Sequence, residues 1–170
     1  FGDASTAPRD RKAGAFTWVR VHYDSYGGQN EAWYIYEGRK WDRWETDFPE
    51  AEENFLIRLR ELTTIKADPN PIALRLDDPA IMDYPFIYMS DVGWQDLSDA
   101  EAAALREYLL RGGFLWADDF WGTPELQNFE FNMKRVFPES AWVPIPKDHP
   151  ILSIVFPLAE CPQVPARVFY

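Results

Sequence analysis

The chain has a single cysteine, Cys161, and only two histidines, His22 and His149. One cysteine excludes an intrachain disulfide and a Cys-rich zinc site, and it fits a reducing or an oxidising compartment equally well. The histidines lie far apart in sequence, so no zinc motif with neighbouring histidines is present. Positive charge is scarce as well. Lys and Arg total 17 against 28 Asp and Glu, a net charge of −11 over 170 residues. A nucleic-acid partner is therefore not expected, nor is attraction to an anionic membrane. No apolar run approaches the roughly 20 residues of a membrane helix, so membrane insertion is not expected either. Phosphate-binding and nucleophile loops are missing too. Gly27-Gly28 and Gly112-Gly113 match neither dinucleotide nor P-loop spacing, and no G-x-S-x-G elbow occurs. No cofactor and no metal site are expected.

Aromatic residues are what the chain has in excess: 8 Trp, 8 Tyr and 12 Phe, 16% of the residues. Otherwise the composition is ordinary, with 46% hydrophobic and 26% charged residues, as in one globular domain. Residues 1–15 are small, polar and mixed in charge and read as a flexible arm. Residues 16–170 read as a single α/β domain with a Trp/Tyr-rich insertion at 25–48. Phe1 in place of Met suggests that an upstream segment has been removed. Arg167-Val168-Phe169-Tyr170 resembles a strand just beginning, so the chain is expected to continue past Tyr170.

Alternation from Phe16 to Asp24 predicts the first strand, with Trp18 and Arg20 on one side and Val19 and Val21 on the other. The long segment that follows is expected to carry a hairpin around Tyr34-Ile35-Tyr36. Pro49 suits the first position of a helix capped by Asp47 or Phe48, and Glu50, Glu52 and Glu53 favour its positive end. Ala51, Phe55, Leu59 and Leu62 would form its buried stripe. Ile72 to Leu76 and Pro85 to Ser90 read as strands. Ser98-Asp99-Ala100-Glu101 is a capping box opening a second helix, with Ala102, Leu105 and Leu109 inward and Gly112-Gly113 as its stop. Phe114 to Ala117 reads as a buried strand. Thr123-Pro124 opens a third helix, with Leu126, Phe129, Met133 and Val136 inward and Pro138 closing it. Strands alternating with helices predict a mostly parallel sheet covered on both faces, in the flavodoxin-like order 2-1-3-4.

In such a sheet ligands bind outside the carboxyl ends of the strands. This rule selects Asp24 and Ser25 after the first strand, Asp91 and Trp94 after Pro85–Ser90, and Asp118, Asp119 and Trp121 after Phe114–Ala117. Carboxylates that converge can bind a hard cation or separate their pKa values for acid/base work. Turn chemistry accounts for an adjacent Asp pair equally simply. His22 lies mid-strand and reads as structural, whereas His149 sits in a loop and joins the candidates. Cys161 falls in the irregular tail rather than at an elbow. In the insertion, Trp33, Trp41 and Trp44, with Tyr34 and Tyr36, stand among charged residues. Such rings suit a sugar or a protein partner, and they would equally serve as satellite core.

Taken together, Phe16-Thr17, Arg20, Tyr23-Asp24, Trp44, Thr46-Asp47-Phe48-Pro49, Ala51-Glu52, Asn54-Phe55 and Leu62-Thr63-Thr64 form a specific string. It continues through Leu76-Asp77-Asp78-Pro79, Tyr84-Pro85-Phe86, Leu109, Gly112-Gly113-Phe114, Asp118-Asp119, Phe137-Pro138 and His149-Pro150. In these residues the chain resembles a bacterial family known as domain of unknown function 4159, within the class I glutamine amidotransferase-like superfamily. The resemblance implies a flavodoxin-like sheet, further C-terminal elements and, as for many members, a secreted or membrane-associated setting. It would place a nucleophilic cysteine at the elbow after Pro85–Ser90. Here the elbow reads Ser90-Asp91-Val92-Gly93-Trp94, so glutaminase chemistry does not carry over. Nor does the histidine of the Thr-Gly-His-Gly-like turn found in relatives.

With neither a Cys nor a Ser nucleophile elbow, the chain reads first as a non-catalytic, extracytoplasmic ligand-binding or protein-interaction domain, with a glycan or a protein as partner. The alternatives are a hydrolase using Asp91, Asp118, Asp119 and His149, with or without a divalent cation, and a structural subunit of an oligomeric assembly.

Overall fold

In the computed structural model, residues 14–154 and 156–158 are described. The 1–15 arm falls almost wholly outside them, as do Cys161 and the strand expected at Arg167–Tyr170. The chain divides into two compact units, Phe1–Glu139 and Ser140–Tyr170.

The first unit is built on four parallel strands: β1 (Val19–Val21), β4 (Ile72–Leu74), β5 (Phe86–Ser90) and β6 (Phe114–Asp118). Their spatial order is β4-β1-β5-β6. Counted along the chain, this is the 2-1-3-4 order expected from the alternation of elements. Strand pairing is in phase from Arg20 opposite Tyr88 to Tyr88 opposite Trp116, so residues two apart share a face. Val19, Val21, Ile87 and Met89 point to one face, where α2 (Asp99–Leu110) brings Leu105 and α3 (Gly122–Val136) brings Phe129 and Val136. Trp18 and Tyr88 point to the other face, under Leu56 of α1 (Glu50–Leu62). The chain is thus an α/β protein with helices on both faces of a parallel sheet.

The insertion folds as a separate antiparallel hairpin, β2 (Trp33–Tyr36) and β3 (Arg39–Asp42). Its two-residue turn, Glu37-Gly38, has φ of 50° and 75°. Positive φ at both central positions is the geometry whose twist matches a hairpin, and glycine adopts it without strain.

Four local expectations are corrected. Helix α1 starts at Glu50 with Pro49 as its cap residue, not its first residue, after a cis Phe48–Pro49 bond. Its inward residues are Glu52 and Leu56, while Ala51 is exposed, Phe55 is 37% exposed and Leu62 79%. The helix is turned so that the Glu52 carboxylate meets the buried Arg20 guanidinium, and this pairing overrides the apolar stripe. Strand β6 is not buried: it is the sheet edge, and Trp116 and Phe114 stay 40% and 55% exposed on the α1 side. In α3, Leu126 is exposed, because Glu125, Phe129, Asn132 and Val136 form the inward row. In α2, Tyr108 is buried beside a half-buried Leu109. The capping box forms as expected, with the Glu101 amide donating to Ser98 Oγ at 3.2 Å and the Ser98 amide to Glu101 Oε2 at 3.0 Å.

Candidate functional site

The carboxyl ends of β5 and β6 carry most of the predicted rim residues. After Ser90 the backbone turns sharply. Asp91 adopts the left-handed region at φ 55°, ψ 36°, and Val92–Trp94 form one 3-10 turn. This elbow is held from three directions. The Tyr23 hydroxyl donates between the carbonyls of Ser90 and Asp91, at 2.7 and 2.9 Å. The Asp91 amide donates to the Asp118 carbonyl at 3.1 Å. From α3, Asn128 Nδ2 donates to the carbonyls of Gly93 and Gln95, and the Leu97 amide donates to Asn132 Oδ1. Gly93 is needed here because a Cβ would fall 2.3 Å from Cβ of Glu125.

The Asp91 carboxylate is buried and accepts two hydrogen bonds from the segment after β3: from Arg43 Nη1 at 2.9 Å and from Thr46 Oγ1 at 3.2 Å. Burial pushes its pKa up to about 6. The Arg43 guanidinium pulls in the opposite direction, and the Asp119 and Glu125 carboxylates add to the upward push.

Arg43 is the centre of a wider set of contacts. Its Nε donates to the Glu31 carbonyl at 2.5 Å, and its Nη2 donates to the Asn30 carbonyl. The guanidinium carbon lies 4.6 Å from the Trp94 ring centre and 5.4 Å from that of Tyr34. One guanidinium therefore ties the base of the hairpin to the elbow through ionic, hydrogen-bond and cation–π contacts.

A second polar cluster lies on the α1 side of the sheet. Arg20 and Glu52 are both fully buried, with Arg20 Nε 2.5 Å from Glu52 Oε1. Arg20 Nη1 also donates to the carbonyls of Trp44 and Thr46, each at 3.0 Å, and its guanidinium lies 4.7 Å from the Tyr88 ring centre. Beside it the Tyr88 hydroxyl donates to Asp118 Oδ1 at 2.7 Å. Burial raises the Asp118 pKa, partly countered by the Tyr88 hydrogen bond, and burial likewise pushes the Tyr88 hydroxyl up.

The predicted residues separate accordingly. Asp91 and Asp119 share the elbow, where Asp119 Oδ1 accepts from Trp121 Nε1 at 3.0 Å and Glu125 accepts from the Trp121 amide. Asp118, though adjacent in sequence, is held on the α1 side by Tyr88. Asp24 is exposed and receives both Arg75 Nη atoms, at 3.2 and 2.8 Å, which hold its carboxyl below the usual range. Ser25 pairs with Gln95 in an isolated bridge. His149 belongs to the second unit, where its Nδ1 accepts from the Ile151 amide at 3.2 Å. The aromatic candidates are engaged internally. Lys40 lies 5.3 Å from the Trp33 ring centre, Arg39 lies 3.7 Å from that of Trp41, and Trp44 stacks on His22 at 4.4 Å. His22 itself is half-buried, and burial together with Arg75 lowers its pKa. Among the described residues no three His, Cys, Asp or Glu side chains are grouped so that they could hold a metal ion.

The family model described as Domain of unknown function (DUF4159) matches residues 32–169. The chain belongs to the DUF4159 family. No curated protein matches it. The matched span contains the whole hairpin, the elbow and all three α-helices of this DUF4159 chain. Arg43, Thr46 and Glu125, which complete the elbow, are not among the candidates that the sequence offers. Their contacts to Asp91 and its neighbours cross some 30 to 50 positions, and no local pattern announces them.

Proposed function

We propose that this DUF4159 chain is a non-catalytic, extracytoplasmic binding domain on a flavodoxin-like, amidotransferase-like scaffold, with a protein as its partner. The 2-1-3-4 strand order supports the scaffold, since such a sheet offers its crevice at the carboxyl ends of β1 and β5. One observation carries the function. The elbow residue is an aspartate rather than a thiol or a free hydroxyl, and its carboxylate is already bound by Arg43 and Thr46. A group held in that way is organised for recognition rather than for attack. A protein is favoured over a glycan because Trp33, Trp41, Trp44 and Trp94 each have a ring face covered by a cation or an imidazole of the same chain. The extracytoplasmic setting follows the family resemblance alone, and fractionation of the native host tests it.

A hydrolase is the second reading, favoured by a buried carboxyl of raised pKa in a left-handed elbow. Assays with chromogenic ester, phosphate and amide substrates, run with and without divalent cations, decide between the two. No turnover that depends on Asp91 is expected. Turnover abolished by Asp91→Asn would overturn the binding reading in favour of the hydrolase.

A further inference from the structure

The guanidinium of Arg43 sits in the elbow much as a ligand would. The seat has walls of two kinds. Asp91 and Trp94 belong to the elbow itself, one offering a carboxylate at 2.9 Å and the other a ring face at 4.6 Å. Behind them Asp119 and Glu125 act electrostatically on Asp91, so the carboxylate that meets the guanidinium stands among like charges. The occupant comes from outside the sheet, from the segment after β3. A planar cation stacked on an indole and paired with a carboxylate is the arrangement that distinguishes a guanidinium from a simple ammonium.

We propose that the elbow is a guanidinium-binding seat, filled in cis by Arg43 and able to take instead an arginine side chain of a partner polypeptide. Three features support exchange. The backbone that carries the carboxylate and the indole is fixed independently of Arg43, because Tyr23 and Asn128 hold the carbonyls of Asp91 and Gly93. The net charge of −11 draws cationic partners toward the chain. Arg43 also anchors the base of the hairpin through the carbonyls of Asn30 and Glu31. Displacing it therefore removes the ionic tie between the hairpin and the elbow, so that binding in trans and loosening of the hairpin are one event. The inference rests on the rim being a binding site rather than a catalytic one.

Chemical rescue of the full chain carrying Arg43→Ala tests the seat directly. Trp fluorescence is followed while methylguanidinium is added, with methylurea as the neutral isostere and sodium chloride at matched ionic strength. A saturable response to methylguanidinium alone is expected. Adding Asp91→Asn to Arg43→Ala should weaken it about tenfold or more, because the charge-assisted bond is lost. Equal responses to methylguanidinium and methylurea would overturn the proposal, as would an unchanged response in the double variant. Exchange in trans is read on the unmutated chain, which also covers the case in which Arg43→Ala does not fold. An arginine-containing peptide should speed amide exchange across residues 30–46 relative to the same peptide with citrulline. Identical exchange with the two peptides would overturn displacement. Asp91-dependent turnover in the hydrolytic assays would remove the binding reading as a whole. A missing guanidinium response without turnover removes only the seat.

Discussion

Asp91 presents two opposing effects whose balance can be measured. Burial disfavours its charge and Arg43 favours it, and burial wins, leaving a pKa of about 6 against an ordinary 3.8. At about 1.4 kcal/mol per pH unit, that gap amounts to about 3 kcal/mol. The sign follows from proton counting. Between pH 3.8 and 6 the folded chain holds this proton more tightly than the unfolded chain does. The contribution is therefore fully present below the unfolded value and is lost as pH rises through the folded one. Roughly half of it, about 1.5 kcal/mol, should disappear between pH 5 and pH 7.5. Asp91→Asn removes the titration while keeping a residue type that tolerates the left-handed conformation. The variant also loses the ionic part of the contact with Arg43, which the folded pKa of about 6 already includes. The observable is thus the difference between variant and parent stability from urea unfolding at each pH. Asp91→Asn should gain about 1.5 kcal/mol relative to the parent on going from pH 5 to pH 7.5. Other groups, such as Asp24 with its lowered pKa, titrate in both proteins and cancel. A flat difference would show that the Arg43 pair cancels burial, and one in which the variant loses ground as pH rises that it outweighs burial; either would refute the reasoning.

The buried Arg20–Glu52 pair should be costly to break and cheap to replace. Arg20→Met alone leaves Glu52 charged and buried and should cost about 3 to 5 kcal/mol in urea unfolding, whereas Arg20→Met with Glu52→Leu should recover most of that loss. Additive losses in the double variant would show that no such pairing exists. Gly93→Ala places a Cβ within 2.3 Å of Glu125 Cβ and should cost about 1 to 3 kcal/mol by forcing α3 away from the elbow. Unchanged thermal stability in that variant would contradict the close approach.

How far the fold could be read from sequence depended on whether its determinants were local. The capping box at Ser98 and Glu101, the stop at Gly112 and the alternation through β1 are complete within a few residues, and they led to the strand order. The stripe proposed for α1 failed because its decisive neighbour, Arg20, lies 32 positions before Glu52. A mid-strand arginine is an unusual residue for a sheet interior, and the nearest acidic helix was a fair place to seek its partner. The apolar run Phe114–Ala117 predicts a buried strand, but apolar composition does not distinguish a central strand from the edge strand that β6 is. For the site, the rule about strand ends located the elbow but not what closes it. Arg43 and Thr46 meet Asp91 across 48 and 45 positions, and only the folded chain shows that a Trp-rich insertion delivers them there.

Thr46 links the two polar clusters, one on the α1 side of the sheet and one at the elbow. Its carbonyl accepts from Arg20 on the α1 side, while its hydroxyl donates to Asp91 at the elbow and lies 3.3 Å from the Tyr34 hydroxyl. The end of the insertion is thereby fixed at two depths, one buried and ionic, one at the rim. The inner contact involves charges that solvent does not reach, so it sets where the insertion is anchored. The outer contact reaches Asp91 through side chains that keep some exposure, 15% for Arg43 and 10% for Asp91 against none for Arg20 and Glu52, so solvent competes there and it is the weaker of the two. An insertion anchored firmly within and held lightly at the rim can release its rim contact without detaching from the sheet. That asymmetry, more than the number of aromatic rings, is what suits the segment from Trp33 to Thr46 to recognition.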